Sequence, residues 1–125
     1  MTPEWQQAAR EGSIEGVGRL WRGGADIDSR DAHGQTALMI AASEGHADLV
    51  QWLVDQGAAI DTTAKYGLSA LMLGVVRGHV DVVRTLVRAG ANLELQGTGA
   101  PGFAGRTARD LALKGNNPAV VRALG

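Results

Sequence analysis

The sequence overlaps itself. Displaced by 33 residues, Asp31 to Thr63 falls on Ala64 to Gln96 with Gly34/Gly67, Leu38/Leu71, Met39/Met72, Gly45/Gly78, His46/His79, Leu53/Leu86 and Gly57/Gly90 identical. A period of this length restricts a chain to architectures in which one small supersecondary unit stacks on copies of itself. The same shift backward places Ala8-Ala9 under Ala41-Ala42, Gly12 under Gly45, and Gly24-Ala25 with Ile27-Asp28 under Gly57-Ala58 with Ile60-Asp61. Forward, Gly105-Arg106-Thr107-Ala108 matches Gly67-Leu68-Ser69-Ala70, and Val120-Val121 with Leu124 matches Val82-Val83 with Leu86, after five extra residues. The 125 residues therefore read as a single domain of four copies: an N-terminal capping copy over 1–30, complete copies over 31–63 and 64–96, and a C-terminal capping copy over 97–125 that carries an extended loop.

Within a copy the residues specify two short helices. Thr36 can cap a helix whose Leu38, Ala41 and Ala42 share one face, and Gly45 can turn the chain by adopting positive φ. Leu49, Val50, Leu53 and Val54 make a second apolar stripe, ended by Gly57. Neither helix can bury its stripe alone, so the core must form between neighbouring copies, and about three copies are the usual minimum for stability.

The residues GQTALMIAASEGHADLVQWLVDQGAAID, from Gly34 to Asp61, resemble the ankyrin repeat with its G-x-T-P-L-H-x-A, G-H and G-A-x-V-N signatures. The resemblance covers nearly the whole chain and is most specific in the two middle copies. It implies an all-α solenoid of stacked helix-turn-helix repeats joined by short β-hairpin loops. Four departures stand out: Ala37 and Ala70 replace the usual Pro, Met39 and Met72 the usual His, Ala64 the usual Asp, and Gly74-Val75 the usual Ala-Ala. The last swap is nearly volume-conserving. The missing Asp is expected to loosen the turn at Ala64. Polar residues at the end copies, Gln7 where the middle copies carry Ile40 and Leu73, and Arg109 where they carry Leu38 and Leu71, imply a self-capped unit that is a monomer by itself.

Composition narrows the function. Twelve basic and 13 acidic side chains leave a formal charge of −1, so no global field collects nucleic acid or an anionic membrane. With no cysteine there is no disulfide framework, thiolate metal site or cysteine nucleophile. The opening residues MTPEWQQAAR lack the basic start and apolar stretch of a secretory signal, and no run approaches membrane-spanning length, which makes the cytoplasm the expected compartment.

Chemical motifs are few. His46 and His79 occupy one repeat position, where the resemblance implies a bond to backbone groups of the neighbouring turn rather than metal ligation. His33, at a hairpin tip, is expected to meet solvent or a partner. The segment 97–102 matches G-x-G-x-x-G, but no buried strand precedes it and Asp110 is the last acidic residue, too near for the ribose of a dinucleotide. The frame over 100–107 has Arg106 in place of the phosphate-binding Lys of a P-loop. Arg106 and Arg109, near a helix start at about Thr107, leave anion binding as a weaker alternative to an elongated glycine-rich loop. Asp48 and Asp81 begin the outer helices, where a carboxylate favours the helix dipole. No nucleophile, acid and base converge, so neither enzymatic activity nor a cofactor or metal is expected. Trp5 and Trp21 align with Leu38 and Val54 as core residues, while Trp52 is expected either to cover an outer-helix seam or to mark a convex contact site.

Once the core stripe is assigned, the rest of each inner helix faces a groove: Met39, Ser43 and Glu44 in the second copy, Met72, Val76 and Arg77 in the third. The resemblance extends the contact surface to the hairpin tips, here Ala32, His33, Gln35, Lys65, Tyr66 and Leu68, with Arg10, Glu11 and Arg30 continuing it into the first copy. The expected partner is another protein, bound non-covalently by a regulator, inhibitor or scaffold; self-association into an assembly unit is the alternative. The inserted stretch from Gln96 to Gly105 is expected to be the most mobile internal segment, with Phe103 tucked beneath it or offered as an apolar contact.

Overall fold

The computed structural model describes residues 1–99 and 101–125. Those residues form eight helices in antiparallel pairs: α1 (Pro3–Glu11) with α2 (Ile14–Arg22), α3 (Ala37–Glu44) with α4 (Ala47–Asp55), α5 (Ala70–Arg77) with α6 (Val80–Arg88), and α7 (Ala108–Lys114) with α8 (Pro118–Leu124). Each inner helix starts at a side-chain oxygen that accepts from the third amide beyond it: Thr2, Thr36, Ser69 and Thr107. Such caps satisfy amides that the first helical turn leaves without partners. Gly12, Gly45 and Gly78 close the first three inner helices in the left-handed conformation. The connecting loops hold one antiparallel bridge, Thr63 to Ser69, instead of extended strands among the described residues.

Inner helices stack on inner helices and outer on outer, so α3 packs against both α1 and α5, and α6 against both α4 and α8. The loops are laddered as well. The Asp28 carboxylate accepts from the Ala59 amide at 2.9 Å and that of Asp61 from the Asn92 amide at 2.8 Å, one repeat further on. Imidazole Nε2 of His46 lies 2.8 Å from the Arg10 carbonyl, and that of His79 lies 2.9 Å from the Ser43 carbonyl. Both histidines thus tie successive turns together, the structural role implied for them.

The repeat lets burial assign direction. Positions buried in the first three copies but open in the last face forward along the stack: Trp5, Leu38 and Leu71 become Arg109; Ala9, Ala42 and Val75 become Leu113; Val17, Val50 and Val83 become Val121. Positions open in the first copy and covered in later ones face backward: Glu4 replaces buried Ala37, Ala70 and Ala108, Gly16 replaces Leu49, Val82 and Val120, and Leu20 stands where Leu53, Leu86 and Leu124 are buried. Gln7 is likewise exposed where Ile40 and Leu111 are covered. The expectation of polar ends holds for Gln7 and Arg109 but not for the whole C-terminal face, where Leu113 is 58% exposed and Val121 half-buried.

The tryptophans divide by depth. Trp5 is buried, whereas Trp21 is only half-buried and meets Trp52 edge-to-face, ring centroids 5.7 Å apart. Of the two roles expected for Trp52, the outer-helix seam is the one it fills. An edge-to-face pair places the positive ring edge of one indole on the negative face of the other.

Candidate functional site

The second and third loop tips start from different chemistry at one position. In the second, the Asp31 carboxylate accepts from the amides of both His33 and Gln35, each at 2.9 Å. Ala64 has no such acceptor, and the tip winds instead into a 3₁₀ turn over Lys65–Gly67 with Tyr66 at φ 65°. The turn keeps its backbone bonds, Gly67 N–H to the Ala64 carbonyl at 3.0 Å and Ala64 N–H to the Leu68 carbonyl at 2.9 Å. A non-glycine residue in this left-handed region carries strain of about 1–2 kcal/mol. The second tip has the same two bonds, Gly34 N–H to the Asp31 carbonyl at 3.0 Å and Asp31 N–H to the Gln35 carbonyl at 2.9 Å, so loss of the Asp removes a side-chain acceptor without opening the turn, and the tyrosine at its centre sits in a costly conformation.

Tyr66 is held there from outside its own repeat. Its carbonyl accepts from the Thr98 amide at 2.7 Å, and its ring stacks on Phe103 with centroids 6.1 Å apart and planes 26° from parallel. The Lys65 ammonium lies 5.1 Å from the same ring centroid, within cation–π range. The inserted loop is itself closed by bonds from Gly97 N–H to the Arg106 carbonyl and from Gly105 N–H to the Gly97 carbonyl, both 2.9 Å. The loop thus has backbone bonds inside itself and to the tip. Phe103 is half-buried against Tyr66, a neighbour that alignment of the repeats does not supply, since the second copy has no insertion. The part of the G-x-G-x-x-G match and of the 100–107 frame at Ala100 lies outside the described residues.

Between the tips lies a shallow open hollow of about 200 Å³ lined by His33, Gln35, Ala64, Lys65, Tyr66, Leu68 and Leu73. It is smaller than the usual small-molecule pocket and suits one inserted side chain. Five of the six tip residues singled out in the sequence line it; Ala32, the sixth, is exposed beside it. Ala64 and Leu73 were not foreseen. Along the inner-helix rim, Glu44 and Arg77 are exposed, Ser43 is half-buried, and Val76 is 47% exposed. Tyr66, at 39%, and Val76 are thus the large apolar side chains this rim presents. In the first copy Arg10 and Glu11 are exposed, while the Arg30 guanidinium donates to the Thr63 carbonyl at 3.1 Å and belongs to the loop ladder.

Met39 and Met72 must be removed from this surface. Each is 1% exposed, enclosed in the core. Their assignment to the groove assumed an inner helix with one open face, but Ala37 through Ala42 are all buried, so α3 is covered around nearly its whole circumference. The methionines pack in the core rather than lining the groove.

The anion alternative also loses its basis. At the start of α7 the Thr107 hydroxyl accepts from the Asp110 amide at 3.2 Å and the Asp110 carboxylate accepts from the Thr107 amide at 3.0 Å. The Thr107 amide first, then the Thr107 hydroxyl and the charge of Arg106, hold the Asp110 carboxyl below its usual range, so a negative charge already occupies the helix start. No group of three or more His, Cys, Asp or Glu residues that could hold a metal occurs among the described residues.

The family model for ankyrin repeats, in three copies, matches residues 5–97. No curated protein matches the chain. Ankyrin repeats are general protein–protein interaction modules, and the family is generally non-catalytic. No described helix is long and apolar enough to cross a membrane. The doubled helices, left-handed turn glycines and laddered loops, together with a family match over most of the sequence, make this chain a member of the ankyrin-repeat family.

Proposed function

We propose that the chain binds another protein at the second and third loop tips and the adjoining inner-helix rim, as a non-enzymatic regulator, inhibitor or scaffold. The observation that carries this reading is Tyr66: an aromatic side chain 39% exposed, beside a hollow of side-chain size, on a backbone held in a strained conformation. Strain of this kind concentrates at functional positions, and Tyr is among the residues that dominate binding energy at interfaces. His33, Gln35, Lys65 and Leu68 surround the anchor, with Ala32, Ser43, Glu44, Val76 and Arg77 at the margin. Nucleic acid and membrane are not its expected partners, given a formal charge of −1. The cytoplasm is the expected compartment.

The test compares affinities for the protein that co-purifies with the intact chain. Tyr66→Ala is expected to weaken binding by about 2 kcal/mol, roughly thirtyfold, at a hot-spot position. Lys65→Ala should act mainly on the association rate. Gln51→Lys, on the exposed side of outer helix α4, should bind normally and keep the contact that Gln51 makes with Asp55. Undiminished binding by a folded Tyr66→Ala variant, with loss on Gln51→Lys, would move the site to the convex face.

A further inference from the structure

Resting on the reading of the loop tips and inner-helix rim as the binding side, we propose that the partner presents there an acidic segment, laid across the stack with its carboxylates over the third and fourth copies. Charge divides unevenly along the chain. Residues 1–63 hold ten acidic and four basic side chains, whereas residues 64–125 hold three acidic and eight basic. The near-neutral total therefore hides a molecule that is negative over its first two copies and positive over its last two. Because the copies stack in chain order, this asymmetry becomes a field directed along the stack.

The same reversal runs along the rim. Where the inner helices end, it turns from Glu11 and Glu44 in the first two copies to Arg77 and Lys114 in the last two, all four exposed; Arg10, beside Glu11, is the exception. Lys65, exposed on the third tip, adds a third cation, its ammonium 5.1 Å from the Tyr66 ring centroid. The ion pair among the described residues joins Arg84 to Asp81 on outer helix α6, so Lys65, Arg77 and Lys114 are not neutralised within the chain. A segment bound here thus needs an apolar side chain for Tyr66 and Val76 and carboxylates for the cations around them. Helix α5 packs on α7, and packed helices lie about 8–10 Å apart, a distance that an extended chain spans in about three residues. Carboxylates three residues apart therefore reach Arg77 and Lys114 together. A long polyanion fits worse, because past the third copy it meets the charges of Asp31, Glu44 and Glu11.

The experiment selects short peptides from a displayed random library on the intact chain and measures their affinity by fluorescence anisotropy at low and high salt. Selected sequences are expected to be enriched in Asp and Glu, with pairs three residues apart beside a large apolar residue, and to bind more weakly as salt screens the contact. Lys65→Glu, Arg77→Glu and Lys114→Glu, each checked for an unchanged melting midpoint, should weaken a selected peptide by about fivefold or more. Arg77→Gln, which places no carboxylate at a helix C-terminus, should act in the same direction by a smaller factor. Gln51→Lys, on the convex side, should leave affinity unchanged. Peptides that bind Tyr66→Ala as tightly as the parent chain would refute the binding side itself. Peptides that need Tyr66 yet show no acidic enrichment, or that keep their affinity on Arg77→Glu and Lys114→Glu, would overturn the acidic assignment alone. Tighter binding of a single-stranded oligonucleotide at the same residues would overturn it too, and a selection that enriches nothing counts against both.

Discussion

Gly45 meets two demands at once. Its φ of 86° is left-handed, and a Cβ there would lie 2.8 Å from Nδ1 of His79. Gly78, at φ 75° in the next repeat, meets only the first, since a Cβ there finds Asn117 Nδ2 at an ordinary 3.4 Å. The difference follows from sequence: a histidine follows the turn glycine in the two middle copies, and an asparagine holds that place in the fourth. Gly78→Ala should therefore cost about 1–2 kcal/mol from backbone strain. Gly45→Ala should cost about 1 kcal/mol more, because the displaced imidazole gives up its bond to the Ser43 carbonyl. Urea denaturation of the two variants measures the difference, and equal losses would show that the histidine does not brace the turn.

The helices and their ends could be read from the sequence because each rests on local chemistry: a hydroxyl at the cap, a glycine at the turn, an apolar stripe between. What could not be read depended on elements distant in sequence. Met39 and Met72 sit where a helix with one free face would offer them to a groove, yet neighbouring helices and loops enclose them; the unbroken apolar run Ala37 to Ala42 was the signal for burial on all sides. Phe103 was legible as either tucked or offered, but not as the ring that stacks on Tyr66, because the insertion that carries it has no counterpart in the other copies. Nor do Gln7 and Arg109 reveal that the C-terminal face remains partly apolar, since each is a single position and Leu113 and Val121 lie on the same repeat as Arg109. The inserted loop offers its own test. A Cβ on Gly97 would approach the Phe103 carbonyl oxygen to 2.3 Å, a backbone collision that a side-chain rotation cannot relieve. Gly97→Ala should therefore open the loop, release the Thr98 amide from the Tyr66 carbonyl and accelerate its hydrogen exchange, while amides in α3 to α6 keep their protection. Unchanged exchange at Thr98 would show that the loop is not fastened through Gly97.

As a whole the molecule is a stack of four helix pairs. Its core runs through all four repeats, so each repeat is stable only in the company of its neighbours. The loop tips and inner-helix rim project from one side, where side chains can vary without disturbing the packing beneath, which is why fold and family are plain here while the partner is written only in a few exposed residues. Hydrogen exchange of the intact chain, alone and with the protein that co-purifies with it, tests the binding proposed for this side. Binding at the tips predicts slowed exchange across 32–35 and 64–68 and at the C-terminal turns of α3 and α5, with α4 and α6 unchanged. Protection confined to α4 and α6, with the tips exchanging as they do in the free chain, would contradict it.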